Sequence, residues 1–388
     1  MKRFLLAMLL ALPVAAKPVT PVVPPGAIQP RAPGYQPAPA IPTLEWEPRP
    51  HQIHRVQYTG NGHIEVAHAL ILADPGSDEQ FLLGLTRQAV RGALEARPSL
   101  HQVDVSVYHR ANYMSFGGPP PILTASVPRA RLDEFESDGL NFERLWSHAR
   151  ARLHPTHRPG DTEAVEGNIV FHGSDSDLQS DQRFQEDGFG QHDGLFFRGD
   201  PRRQQIALTF DDSPHPMFET LLLDTLHRAR THATFFCIGR NARAYPYLIS
   251  DMVEGGHEVA NHTYHHLRLP GLARPVVHEE LELGKTVLEG ISGQTVRLFR
   301  PPGGDYSGET LDVARGLGLV TTFWTDDPGD FNNPGEAVIQ SRLLDHLRPG
   351  GIVLLHDNVQ ETIDILPTFL ELARTQGFRV GTASELLD

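Results

Sequence analysis

From Gly194 to the last residue the sequence alternates between short apolar runs and longer amphipathic ones, and this alternation restricts the fold more than any other feature. The apolar runs occupy residues 206–210, 233–238, 258–260, 296–299, 320–324, 352–355 and 378–380. Each is too short for a core helix and suits a strand buried on both faces. Between them, residues 217–229, 245–254, 276–290, 308–318, 336–347 and 362–376 place apolar side chains at helical spacing. Seven strand–helix steps predict an α/β fold: a parallel sheet closed, or nearly closed, into a distorted (β/α)7 barrel over residues 194–388. In such sheets chemistry gathers at the C-terminal ends of the strands.

The first half reads differently. Met1-Lys2-Arg3 is a short basic start, and residues 4–16 are apolar, with Val14 and Ala16 at the −3 and −1 positions of a cleavage site. A helical span needs about 20 apolar residues, so residues 1–16 are expected to be a secretory signal peptide. The chain is then expected to be exported to the periplasm, cell envelope or exterior, with no stable membrane insertion. Residues 17–50 hold eleven prolines. They are expected to form an extended tether that neither pairs into sheets nor sustains a helix, and that would keep the protein near a cell wall.

Residues 51–154 predict a small α+β domain with strands at 64–73, 103–107 and 122–127. Ser77-Asp78-Glu79-Gln80 reads as a capping box opening a helix, and residues 142–153 read as a second helix with Leu145 and Trp146 inward. Val103, Val105 and Val107 alternate with polar residues, the mark of a half-buried strand. No chemistry is evident here: His63, His68, His101 and His109 fit surface or strand-pairing roles. Residues 155–193 are polar, broken by glycine, and read as a linker.

Lys and Arg total 34 against 48 Asp and Glu, a net charge of −14. That balance gives no counterion-release affinity for DNA or RNA, so a nucleic-acid partner is not expected. The single cysteine, Cys237, excludes an intramolecular disulfide framework, a four-thiolate zinc site and a CxxC redox pair. It stands in an apolar run and reads as a buried small hydrophobe.

The polar residues cluster at the predicted strand ends: Thr209-Phe210-Asp211-Asp212-Ser213-Pro214, Asn261-His262-Thr263-Tyr264-His265-His266, Arg300-Pro301-Pro302-Gly303-Gly304-Asp305, Trp324 to Phe331, and Leu354-Leu355-His356-Asp357. Asp211 and Asp212, adjacent in an extended segment, should point to opposite sides and serve different partners; taken alone, Asp-Asp-Ser-Pro is also good turn chemistry. On a helical turn His262 and His266 would face one ion, with His265 the poorer substitute for His266. Among 21 histidines the pair alone is a weak signal. Joined to Asp212 it makes a two-His, one-Asp set with a coordination position left open, the pattern of a catalytic metal site. Arg300, held extended by the prolines, can meet a carboxylate or form a surface ion pair. Gly303 and Gly304 let the backbone approach a ligand. His356 closes an apolar strand, and Asp330 is available to tune it as an acid.

In this order the motifs resemble the NodB-type polysaccharide deacetylases, carbohydrate esterase family 4, over about residues 195–388. The resemblance implies a metal-dependent hydrolase acting on carbon–nitrogen bonds other than peptides. It would remove N-acetyl groups from a glycan containing N-acetylglucosamine, such as peptidoglycan or an exopolysaccharide. Asp212, His262 and His266 would hold a divalent metal, usually zinc, with cobalt or nickel as alternatives. Asp211 would be the general base, paired with Arg300. The Gly303 N–H would help hold the oxyanion, His356 would be the general acid fixed by Asp330, and Leu354 would line the acetyl-methyl pocket. Ser213, Gly303, Phe331 and Leu267 depart from the usual Gly, Tyr, Trp and Pro. Phe331 alters the sugar-facing wall, which bears on the substrate. Two other functions fit the sequence: an O-acetyl esterase of the xylan type on the same scaffold, and a non-catalytic glycan-binding envelope protein.

Overall fold

The structure is a computed structural model, described over residues 38, 40–113, 119–153 and 189–387. The signal segment, most of the Pro-rich stretch and most of the 155–193 linker lie outside the described residues.

The N-terminal domain is one five-stranded sheet in the order β1 (Ile53–Gly60), β2 (Glu65–Ala73), β3 (Leu100–His109), β4 (Leu123–Pro128) and β5 (Leu145–Ser147). Helix α1 (Glu79–Ala96) crosses from β2 to the parallel β3; the other pairs are antiparallel. Asp78, not Ser77, caps α1, by accepting from the Phe81 N–H at 2.8 Å. Such a cap contributes about 1 kcal/mol. Ser77 instead donates to the Asp74 carbonyl. A short helix, α2 (Leu132–Asp138), precedes β5.

Three expectations for this half are corrected. The helix predicted for 142–153 begins only at α3 (His148–Leu153), because Leu145 to Ser147 pair with β4 instead. The prolines do not keep the whole tether off the sheet. Thr43 bridges Gln57, Leu44 donates to Val56 and is buried, and Tyr58 donates to Pro42. A proline carbonyl still accepts, so Pro-rich chain can dock wherever its own N–H groups are not required. Finally, β3 is buried on both faces: Asp104 and Ser106 are as covered as Val103, Val105 and Val107. Its polar face meets the second domain. Gln102 donates to Thr220 at 2.9 Å, Ser106 shares a hydrogen bond with the Tyr245 hydroxyl, and Arg144 makes a bidentate pair with Asp251.

The second domain opens with a hairpin, β6 (Gln191–His192) and β7 (Leu195–Phe196), so the last residues of the predicted linker are a strand. Then β8 (Gln205–Ser213), β9 (Thr234–Cys237), β10 (Glu258–Asn261), β11 (Leu298–Phe299) and β12 (Val320–Thr322) pair in parallel order, and β13 (Ile352–His356) pairs back onto β8. The ring closes where β12 continues to Asp326, which bridges Val353: Thr325 donates to Ile352 and Leu354 donates to Asp326, each at 2.9 Å. Strand β14 (Arg379–Gly381) adds to the start of β8 as the seventh parallel strand. The helices are α4 (Glu219–Ala229), α5 (Gly239–Ala244), α6 (Pro246–Glu254), α7 (Arg274–Ser292), α8 (Gly308–Gly316), α9 (Glu336–His346), α10 (Gln360–Thr375) and α11 (Ala383–Leu387). Six-residue α5 shows no apolar periodicity and is the one crossover helix the pattern misses.

Strand alternation sorts the barrel side chains. Ile206, Leu208 and Phe210 on β8, Phe235 and Cys237 on β9, and Val353 and Leu355 on β13 pack outward against the helices. Ala207, Phe236, Ala260, Leu298 and Ile352 make a separate inner cluster. Cys237 is therefore buried among apolar groups, which pushes its thiol well above the ordinary range. Continued by two residues, the inner rows lead to Thr209 and Asp211, to Arg300, and to Leu354 and His356 at the barrel mouth. Among the described residues no helix is long and apolar enough to cross a membrane.

Candidate active site

Asp211 ends the inner row of β8 and is buried. The next residue breaks the alternation. Asp212 has φ +72°, and the β8–β9 register slips between Phe210 and Ser213. The two carboxylates therefore do not point apart, as extended geometry would require. Both approach one imidazole: His262 Nε2 lies 3.8 Å from Asp211 and 3.7 Å from Asp212.

His262 and His266 lie on a loop and not on a helical turn, since Thr263 and His266 both have φ +63°. The left-handed residues bring the two rings to a centroid distance of 4.9 Å, and His266 Nε2 sits 3.1 Å from Asp212 Oδ1. His265 turns away and binds Glu280 at 2.6 Å, so the loop presents His266 to Asp212 and not His265.

One ligand atom each of Asp212, His262 and His266 lies within 4.8 Å of the others. Metal bonds of roughly 2.1 Å in tetrahedral array would separate neighbouring ligand atoms by about 3.4 Å, and the observed 3.1 and 3.7 Å bracket that value. Two imidazoles and a carboxylate suit zinc or a similar divalent ion. The state of His262 fits as well. Its Nδ1 lies 2.8 Å from the Arg300 carbonyl, which can only accept, so Nδ1 carries the proton and the Nε2 lone pair is directed at the cluster. Burial lowers its pKa to about 4 despite the nearby Asp211, which keeps the ring neutral as a ligand must be. Burial alone would raise the Asp212 carboxyl; its hydrogen bond to His266 and the neighbouring histidines outweigh burial and hold it well below the usual range. Asn358 also donates to Asp212, at 3.3 Å.

Arg300 is not the surface residue that an exposed ion pair would make it. It is wholly buried, donating to Asp211 at 2.6 Å, Thr209 Oγ1 at 2.9 Å and the Phe323 carbonyl at 3.0 Å, with its guanidinium 4.0 Å from the Phe236 ring centroid. Two carbonyls, a hydroxyl and a carboxylate compensate the burial of its charge.

On β13, Leu354 and His356 share one face. Asp330, fully buried, accepts from the His356 backbone N–H and meets its Nδ1, both at 2.8 Å. It also accepts from Phe331 N–H and Thr362 Oγ1. Burial would lower the His356 pKa, but the charge and hydrogen bond of Asp330, with Asp212 and Asp211 beyond, raise it to about 10. The imidazolium is thus held protonated, with Nε2 available at the mouth. Phe331 is half exposed, its ring 5.3 Å from His356. Gly303 has φ +66° and lies three residues beyond Arg300.

The structure adds two groups that the sequence reading gave no role. Thr209 accepts from Arg300 and donates to the Val353 carbonyl at 2.6 Å, tying the Asp211–Arg300 pair to the sheet. It stands inside the quoted Thr-Phe-Asp-Asp motif, two residues before Asp211 on the same strand face. Asn358 carries no local signal; only the pairing of β13 with β8 brings it to Asp212. The arrangement offers a cation site, a carboxylate fixed by an arginine beside it, and a protonated imidazole: the parts needed to attack a carbonyl carbon with water and protonate the group that leaves.

A family model described as "Polysaccharide deacetylase" matches residues 198–322. A peptidoglycan-N-acetylglucosamine deacetylase of Bacillus cereus is 36% identical over 187 residues, 47% of this chain and 87% of the relative. A chitooligosaccharide deacetylase of Sinorhizobium fredii is 41% identical over 153 residues, 39% of this chain and 71% of the relative. Among solved structures, BA3943 of Bacillus anthracis, described as a CE4 family pseudoenzyme, is 29% identical over 51% of this chain and 70% of that one, with a TM-score of 0.49. The two sequence relatives, each more than 30% identical and covered over more than two thirds of its length, together with the family match, establish that the chain belongs to the polysaccharide deacetylase family.

Proposed function

We propose that this chain is an exported, divalent-metal-dependent hydrolase that removes N-acetyl groups from a glycan built on N-acetylglucosamine, with peptidoglycan or a related envelope polysaccharide as its target. The observation that carries the reading is the convergence of Asp212, His262 and His266, with Asp211 of β8 held by Arg300 just after β11, and His356 of β13 held by Asp330 from the loop after β12. The names of the relatives support the N-acetyl substrate.

Asp212, His262 and His266 would hold the cation, zinc by ligand type; when bound it supplies Lewis acidity toward water and the acetyl oxygen. Asp211 accepts the proton of the attacking water, and Arg300, donating to it at 2.6 Å, holds it aimed. The water oxygen bonds to the acetyl carbon, and negative charge builds on the acetyl oxygen, where the Gly303 N–H donates. Leu354 offers an apolar wall to the methyl group. As the C–N bond breaks, His356 gives its proton to the nitrogen, and acetate and the free amine leave. Asp330 holds His356 charged and in orientation until that step. Export by the first 16 residues would place this chemistry where such glycans lie.

Acetate release from N-acetylglucosamine oligomers and from O-acetylated xylan, before and after chelation, tests the reading. N-acetyl hydrolysis lost on chelation and restored by zinc is expected, and Asp211→Asn should lower kcat by about 10²–10⁴-fold with metal still bound. Activity indifferent to chelation, or release from O-acetyl esters alone, would overturn it.

A further inference from the structure

Gly303 and Gly304 lie beside the candidate site, and both are packed against by side chains that no role yet assigned explains. A Cβ at Gly303, which has φ +66°, would fall 2.6–2.7 Å from the guanidinium atoms of Arg268, so the guanidinium rests directly on the bare glycine and would have to shift for a side chain there. A Cβ at Gly304 would fall 2.7 Å from the Trp324 ring. Arg268 follows the candidate ligand His266 by two residues. Trp324 lies 5.6 Å from the Arg300 guanidinium, which holds Asp211. A continuous wall therefore runs from Arg268 across two bare glycines to Trp324 and on to the base.

Arg268 forms an ion pair with Asp305, and both side chains keep exposed edges, 52% and 37%. A pair this open to water contributes little to folding, so stability does not account for a guanidinium seated on a glycine. What the pair does present is chemistry. The guanidinium has five donors in a fixed fork, and the carboxylate only accepts. Together they are uncharged and offer donors next to acceptors, which matches the adjacent hydroxyls of a neutral sugar ring. A carboxylate-bearing sugar would gain from Arg268 but be repelled by Asp305.

We propose that Arg268 and Asp305 form a substrate-specificity edge that binds the hydroxyls of an uncharged hexosamine next to the one being deacetylated. The edge favours neutral N-acetylglucosamine oligomers over glycans that carry carboxylates. This rests on the deacetylase reading for its substrate class, yet binding can be measured without turnover.

The experiment compares wild type, Arg268→Ala and Asp305→Ala, with chitopentaose and N-acetylglucosamine as probes. For chitopentaose each variant should raise KM about tenfold with kcat within about twofold, the mark of a lost binding contact. The monosaccharide, too short to span both positions, should be turned over at the wild-type rate, and Tm should not move. In calorimetric titration, chitopentaose should bind Arg268→Ala about tenfold more weakly. Unchanged KM and Kd overturn the proposal; so does a fall in kcat with KM unaltered, or an Arg268→Ala variant that loses affinity only for carboxylate-bearing glycan strands. If wild type binds chitopentaose through Arg268 but releases no acetate from any glycan, the specificity edge stands and the deacetylase reading fails.

Discussion

Replacing Asp330 by asparagine isolates the electrostatics of the proposed acid. In the native protein His356 is raised from 6.5 to about 10. Burial acts against that rise, and the charge and hydrogen bond of Asp330 lead the groups that produce it, ahead of Asp212 and Asp211. At 1.36 kcal/mol per unit the net shift corresponds to about 5 kcal/mol in favour of the imidazolium. Because the folded pKa lies above the unfolded one, this stabilisation is complete below about pH 6.5 and is lost as pH rises through about 10. Asp330→Asn should therefore destabilise the fold most in acid and neutral solution, and the gap to wild type should close toward pH 10. A second cost is local: Asp330 meets four donors with two carboxylate oxygens. Asparagine has one carbonyl oxygen, so at least one N–H loses its acceptor, at about 1–3 kcal/mol. Catalysis should respond in the same sense. The alkaline limb of kcat/KM for acetate release, measured between about pH 6 and 10, should move to lower pH in the variant, and the His356 ring should titrate lower by NMR. A cation held by Asp212 would weaken the pull of Asp211 and Asp212 in both proteins alike, so their difference reports Asp330. Coincident alkaline limbs, or a wild-type His356 that titrates near 6.5, would refute the assignment of Asp330 as the group that charges the acid.

Two further outcomes follow from the packing. His266→Ala should lower zinc affinity by a hundredfold or more, while His265→Ala, whose ring binds Glu280, should keep stoichiometric metal and lose only stability, about 1–3 kcal/mol for a buried carboxylate left with the residue-265 backbone N–H but without its ring partner; metal analysis under chelator competition reads both, and a metal-free His265→Ala would reverse the ligand choice. Glu219 and Asp357 are buried together, and burial with the Asp357 charge raises the Glu219 carboxyl well above 4.5, so the native state retains a proton that the unfolded chain has lost. Wild-type stability should then fall as pH climbs above about 4.5, whereas Glu219→Gln, neutral and of the same shape, should remove part of that slope and melt higher than wild type in mildly alkaline buffer; parallel pH–Tm curves would exclude the shared proton.

What could be read from the sequence and what could not divides along one physical line. Continuous apolar runs bounded by polar motifs report burial on both faces, and burial is what a parallel barrel demands, so all seven strands and their order were legible. The same logic placed Asp211, Arg300 and His356 at strand ends. Backbone conformation was not legible. An alternating strand predicts that Asp211 and Asp212 diverge, and an i, i+4 pair predicts a helical turn. The protein instead puts Asp212, Thr263 and His266 in left-handed conformations, which is how two adjacent carboxylates and two loop imidazoles reach one point. Non-glycine residues adopt that region uncommonly, Asp and His more often than most, and the sequence does not mark which of the residues in these loops do so. Burial by a neighbouring domain was equally hidden. The Val-Asp-Val-Ser-Val stretch of β3 spells a solvated face, yet Asp104 and Ser106 are covered because the barrel lies against them. A polar face gives the same pattern whether it meets water or a partner rich in donors and acceptors. The first domain is thus fixed to the barrel through hydrogen bonds from this polar face as well as through apolar contacts such as Val66 in the barrel's core and Trp146 against Tyr247 and Leu248, and the strand alternation that read as half-buried was part of the surface through which the two halves of the molecule join.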